Sequence, residues 1–298
     1  MKVVTTIALL AVLSFCAASA QQIALTFDDL PAHGPLPPGE TRMQVVTSIL
    51  GTLKESHIPP VHGFVNGIRV EEDPDTMRVL NAWRDAGYPL GNHSWSHMNL
   101  NENSVDSMKR DVLHNETILQ KLNAGEWRWY RYPYLAEGNT PEKYADFRRF
   151  LAEHHYRIAG VTMSFGDYAW NEPYARCRTK GDAVAVQHLE ESYLQAATQA
   201  LQASRDRAKS LAGHDIPYVL LMHLGAFDAH MLPRLLDLYK SQDVTFVTLE
   251  QAEADPFYQS DIHPQASEPD TLEGALAEKH LPGVAGAGLP VELNTICK

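Results

Sequence analysis

Cysteine is scarce: three in 298 residues, and only Cys177 and Cys297 lie beyond the N-terminal segment. Two cysteines exclude a disulfide-dense scaffold and allow one bridge at most. Basic residues are also short, 25 Lys and Arg against 37 Asp and Glu, for a formal charge of −12. That balance argues against a nucleic-acid partner, which needs a basic surface. It also disfavours strongly anionic polymers as substrates. Long apolar runs are missing apart from one at the N-terminus. No internal repeat or low-complexity block is present, so the chain reads as an ordinary globular protein.

The single apolar run covers about 3–17, after Met1 and Lys2 and before Ala18, Ser19, Ala20 and Gln21. A basic start, a short apolar stretch and a small-x-small site read as a signal peptide over 1–20, cleaved after Ala20. The run is too short for a comfortable membrane span. A secreted or periplasmic location follows, with no membrane span after cleavage and a mature charge of −13. An oxidising compartment favours a Cys177–Cys297 disulfide, and two free thiols are the alternative.

Between 21 and 258, short apolar segments alternate with amphipathic windows. Strands are expected at 23–27, 61–65, 88–93, 127–133, 156–163, 218–223 and 245–249. Helices are expected at about 41–55, 75–86, 104–122, 141–154, 188–212 and 229–240. This β-α alternation predicts an α/β fold with about seven parallel strands, either an open sheet or a barrel, covered by helices on the outside. Residues 259–298 read as an irregular tail tethered by Cys297.

The strand ends carry the chemistry. Asp28 and Asp29 end the first, His93 and His97 the third, Arg131 the fourth; Asp167 follows the fifth and His223 ends the sixth. In parallel α/β folds that edge forms the functional mouth. The spacing of His93 and His97 suits one metal ion, although in a chain with 14 histidines the spacing alone is weak. Ser94 stands where H-E-x-x-H proteases have glutamate, which excludes that class. Asp29 would complete a two-His, one-Asp set with an open position, the way catalytic zinc is held. Arg131 would then neutralise Asp28, leaving that carboxylate free to act as a base.

The ordered segments TFDD (26–29), HSWSH (93–97), RYPY (131–134), DY (167–168) and LMH (221–223), with FVNG (64–67), resemble the polysaccharide deacetylases with a NodB-homology domain, carbohydrate esterase family 4. The resemblance covers about 24–252 and implies a distorted (β/α) barrel. It implies a metal, Zn2+ or another divalent ion such as Co2+ or Ni2+, on Asp29, His93 and His97. It also implies Asp28 as the base, Arg131 as its orienting partner and His223 as the acid, with Asp167 raising the His223 pKa. The Tyr134 N–H would stabilise an oxyanion, Leu221 would line an acetyl pocket, and Trp95 either stacks on sugar or packs beneath its motif. The implied reaction is removal of N-acetyl groups from peptidoglycan, chitin or exopolysaccharide. The alternatives are another amide or ester substrate, or an inactive carbohydrate-binding protein.

Three features depart from the family pattern. Leu30 and Pro31 replace Gly-Pro in a Pro-rich loop that carries His33, read as a surface loop histidine, with reach into the cleft as the alternative. Tyr168 replaces a tryptophan, with Trp170 two residues on. An insertion at 171–217 is expected to form a lid over one side.

Overall fold

The structure is a computed structural model that describes residues 21–263, 272–280 and 288–298. The expected signal peptide lies outside the described residues. Seven parallel strands form one curled sheet: β1 (Gln21–Leu30), β2 (His62–Val65), β3 (Leu90–Asn92), β4 (Trp129–Tyr130), β5 (Arg157–Ile158), β6 (Tyr218–His223) and β7 (Val244–Val247). The order is β5-β4-β3-β2-β1-β6. β6 lies along one edge of β1 (Ile23↔Tyr218 to Asp28↔His223). The other edge is shared in tandem, with β7 on its first half and β2 on its second.

The expected strand 156–163 is not one strand. Its start pairs with β4 as β5, and its end bridges to β6 at Met163↔Leu220. One short segment thus joins both margins of the sheet and closes the curl. The apolar run was legible, but its change of partner midway was not, because both halves are equally buried.

Most helices fall where the sequence places them, and their starts have side-chain causes. Thr41 caps Arg42–Glu55 in a reciprocal box with Gln44, Ser104 caps Val105–Lys121, and Thr140 caps Pro141–Glu153 with proline at the first turn. Two corrections fall in the insertion. A separate helix, Asn171–Lys180, precedes the long one and ends on left-handed Gly181. The long helix then begins at Ala183, because the Asp182 side chain accepts the Ala185 N–H.

The expected lid is not seen at this cleft: none of the insertion's residues lines the space beside Asp29 and His97. It packs outside the barrel, with Ser204 Oγ donating to the Thr162 carbonyl and Tyr239 Oη to that of Ala197. The Cys177–Cys297 disulfide is formed. Arg176 adds hydrogen bonds to the carbonyls of Leu293 and Ile296, so the chain's end is fixed to the helix Asn171–Lys180. The tail that was expected to be irregular contains short helices, including Gln259–Ile262 and Leu272–Glu278.

Candidate active site

A regular strand points neighbouring side chains to opposite faces. At the end of β1 this rule breaks. The pairing with β2 shifts register between Phe27 and Leu30, and Asp29 has φ +60°. Such irregularities re-aim side chains beside functional sites. Both aspartates consequently face one mouth: Asp28 Oδ2 and Asp29 Oδ1 each lie 3.6 Å from His93 Nε2.

Asp28 is 3 % exposed. Arg131 Nη1 donates to both of its oxygens, at 3.2 and 3.3 Å. The guanidinium is itself fully buried; its Nε donates to the Ala159 carbonyl, its Nη2 to Thr26 Oγ1, and it lies over the Phe64 ring. It crosses the barrel from β4 to β1, and every contact is one a buried cation needs.

Asp29 meets the histidines with its other face. Its Oδ1 is 3.4 Å from His97 Nε2 as well as 3.6 Å from His93 Nε2. His93 Nδ1 lies 2.8 Å from the Arg131 carbonyl. A carbonyl only accepts, so Nδ1 carries a proton and Nε2 is the nitrogen that can offer a lone pair. Burial, with His93 adding to it against the pull of Asp29, lowers the His97 pKa to about 4, so this ring is neutral. Burial alone would raise the Asp29 pKa, but the His33 hydrogen bond and the electrostatic pull of the neighbouring histidines, His223 first, hold it well below the carboxylate range.

Two imidazole lone pairs and a carboxylate therefore converge. The two carboxylate–imidazole distances, 3.4 and 3.6 Å, are near the roughly 3.3–3.4 Å between tetrahedral zinc ligands at ordinary bond lengths, and all three ligand atoms lie within 4.8 Å of one another. The donor set fits a divalent cation, and these three residues form a possible metal site.

The histidine loop is held from behind. Asn66 Nδ2 donates to the carbonyls of His93 and Ser94, Asn92 Oδ1 accepts the Ser94 N–H, and Asn115 Nδ2 donates to Asn92 Oδ1. Ser94 and His97 both have positive φ, as does Tyr134 across the cleft. Trp95 is stacked on His114, 3.9 Å between centroids, and lies so close to Gly67 that a Cβ there would sit 2.2 Å from its ring. It is partly exposed and is not among the residues that line the cleft by His97.

Opposite, His223 ends β6. Its N–H donates to Asp167 Oδ2 at 2.7 Å, and its Nδ1 lies 3.1 Å from Oδ1. Burial lowers the His223 pKa, but the charge and hydrogen bond of Asp167, with Asp29 and Asp28 beyond, raise it to about 10. Leu221, two residues earlier on β6, is buried.

Sequence reasoning missed the layer behind this pair. Asp228, fully buried, accepts from Tyr193 Oη and Asn171 Nδ2, and Asn171 Oδ1 accepts the Phe227 N–H. Burial, with Asp167 nearby, raises the Asp228 pKa well above the carboxylate range. No motif marked these residues; two of them lie in the insertion. Trp170 is fully buried against Tyr193, whereas Tyr168 is exposed with its ring 5.3 Å from that of His223.

His33 is not a plain surface loop histidine: it reaches the site. Its Nδ1 is 2.7 Å from Asp29 Oδ2, and its ring lies 4.7 Å from that of His223. It borders a cleft of about 560 Å³ together with Asp29, Arg42, Arg69, His97 and Tyr134. The exposed Tyr134 ring stands 4.5 Å from His97.

Known proteins resemble this chain in sequence and in fold. The sequence model described as polysaccharide deacetylase matches residues 17–151. A Bacillus cereus peptidoglycan-N-acetylglucosamine deacetylase is 27% identical over 130 residues, 44% of this chain and 42% of that protein. The Bacillus subtilis peptidoglycan-N-acetylmuramic acid deacetylase PdaC is 34% identical over 113 residues, 38% of this chain and 21% of that one. The matches thus span less than half the length of either relative. Among solved structures, a CE4 family pseudoenzyme from Bacillus anthracis superposes with TM-score 0.55 at 16% identity, covering 78% of this chain and 66% of that one. A family 4 carbohydrate esterase from Streptomyces lividans, in complex with acetate, gives TM-score 0.50 at 18% identity, covering 79% and 97%. The chain thus matches the polysaccharide deacetylases over residues 17–151, and its curled parallel barrel resembles the fold of carbohydrate esterase family 4.

Proposed function

We propose that the protein is an exported, divalent-cation-dependent deacetylase that hydrolyses the N-acetyl groups of an amino-sugar polymer, with peptidoglycan, chitin and exopolysaccharide as the candidate substrates. One observation carries the reading. A buried carboxylate held by an arginine and a histidine held by a carboxylate face the same Asp29–His93–His97 cluster. Amide hydrolysis needs a base for the attacking water and an acid for the leaving amine, and a protein that only binds glycans has use for neither.

The residues divide the work. Asp29, His93 and His97 would hold the cation, zinc being the first candidate. Bound there, it would supply Lewis acidity to water and to the acetyl carbonyl. Asp28 takes the proton from water, and its bonds to Arg131 fix its direction. His223 carries its proton at neutral pH, as its raised pKa requires, and gives it to the departing nitrogen. The Tyr134 N–H is assigned to the oxyanion, and Leu221 to the acetyl methyl group.

The test is acetate release from N-acetylated oligosaccharides and from peptidoglycan, with and without added zinc. Zinc-dependent release is expected; no release from any glycan by the metal-replete protein overturns the reading. Release confined to small amides or esters would move the substrate class while keeping the site. The His33 loop, where the family usually has Gly-Pro, is the feature that favours this second outcome.

A further inference from the structure

We propose that His33 is a positioning residue of the metal centre: it donates Nδ1–H to Asp29 Oδ2 and so aims Oδ1 at the cation. The inference rests on the metal reading above but not on the substrate. A carboxylate that binds a metal through one oxygen can swing about its last torsion, and a donor on the other oxygen removes that freedom. Here the two oxygens have separate partners. Oδ1 faces His97 and His93 at 3.4 and 3.6 Å, whereas Oδ2 lies 2.7 Å from His33 Nδ1.

The ring is itself held in place. Arg42 Nη1 donates to the His33 carbonyl and Nη2 to that of Gly34, tying the loop to the first turn of the helix Arg42–Glu55. On the other side, Asn171 stands so near Gly34 that a Cβ there would lie 3.2 Å from the asparagine Cβ. The loop is thus braced from a helix and from the insertion, and its one imidazole ends on the metal-site carboxylate. Ligand-orienting hydrogen bonds of this kind typically change metal affinity by roughly 10–100-fold.

The test measures zinc affinity of the full-length protein, stripped by chelation and titrated against a chromophoric competitor, with no substrate present. His33→Leu, which lacks the donor, should bind zinc roughly 10–100-fold more weakly. His33→Asn, whose side-chain amide can donate from nearly the same place, should recover most of that loss. The visible spectrum of the cobalt form should change in the leucine variant and return towards wild type in the asparagine variant. Should His33→Leu fail to fold, Arg42→Met gives the same readout by releasing the loop while leaving His33 intact. Zinc affinity within twofold of wild type in the variants lacking the donor or the tether overturns the inference alone. Weak binding by both His33 variants also overturns it, because the loss would then follow packing and not the hydrogen bond. A wild-type protein that binds no zinc overturns the metal reading and this inference together.

Discussion

Asp167→Asn isolates the charge behind the proposed acid. The asparagine keeps an acceptor for His223 and nearly the same volume but discards the charge. Burial is the largest influence on His223 and lowers its pKa; the Asp167 charge is the first of those that raise it to about 10. With that charge gone, the pKa falls from about 10 towards the ordinary value of about 6.5. A histidine that reaches ~6.5 is only ~10% protonated at pH 7.5, against ~99% before. Activity at that pH should fall by up to roughly tenfold, and the basic limb of kcat/KM should move to lower pH. The same shift acts on stability. A histidine whose folded pKa is raised stabilises the fold fully below its unfolded value, and the contribution is lost as pH rises through the folded one. From about 6.5 to about 10, at ~1.4 kcal/mol per pH unit, this is on the order of 5 kcal/mol in the metal-free protein. Acetate release across pH 5–11 (roughly the range that both limbs need) and urea unfolding at several pH values read the two effects. An unmoved basic limb and an unchanged slope of stability against pH would refute the reasoning.

Other perturbations separate the remaining parts. Asp28→Asn should lower kcat by roughly 10²–10⁴-fold while zinc stoichiometry, measured by atomic absorption, stays at the wild-type value. His97→Ala should lose stoichiometric zinc; retention of one tightly bound ion would show that the ligand set is wrong. Arg131→Met leaves the Asp28 charge buried without its partner and should cost about 3–5 kcal/mol in urea unfolding. Replacing Cys177 and Cys297 by serine should cost about 2–4 kcal/mol of stability while leaving kcat/KM near wild type, because the bridge lies outside the cleft.

The strand ends could be read in the sequence because their residues are chemically conspicuous. An aspartate pair, two spaced histidines and an isolated arginine stand out at the ends of apolar runs, and the fold assembles them. How adjacent aspartates share one mouth was not legible. It depends on the register shift after Phe27 and on left-handed Asp29, which leave no mark in composition. The support behind His223 was hidden for another reason. Asn171, Tyr193 and Asp228 are distant in sequence and ordinary as residue types; only tertiary packing makes them a unit. The insertion misled for a related reason, since its length suggested a cover whereas its small, buried alanines fit a helix packed close to the barrel wall.

The segment that begins as β5 and ends against β6 carries a consequence for folding. Its Ala159 carbonyl accepts from Arg131 Nε, the same guanidinium that fixes Asp28. Sealing of the ring and bracing of Asp28 therefore share one short piece of backbone. A chain in which this seam is open leaves the Arg131 guanidinium without one of its anchors. Recovery of turnover during refolding should therefore require that the seam has closed.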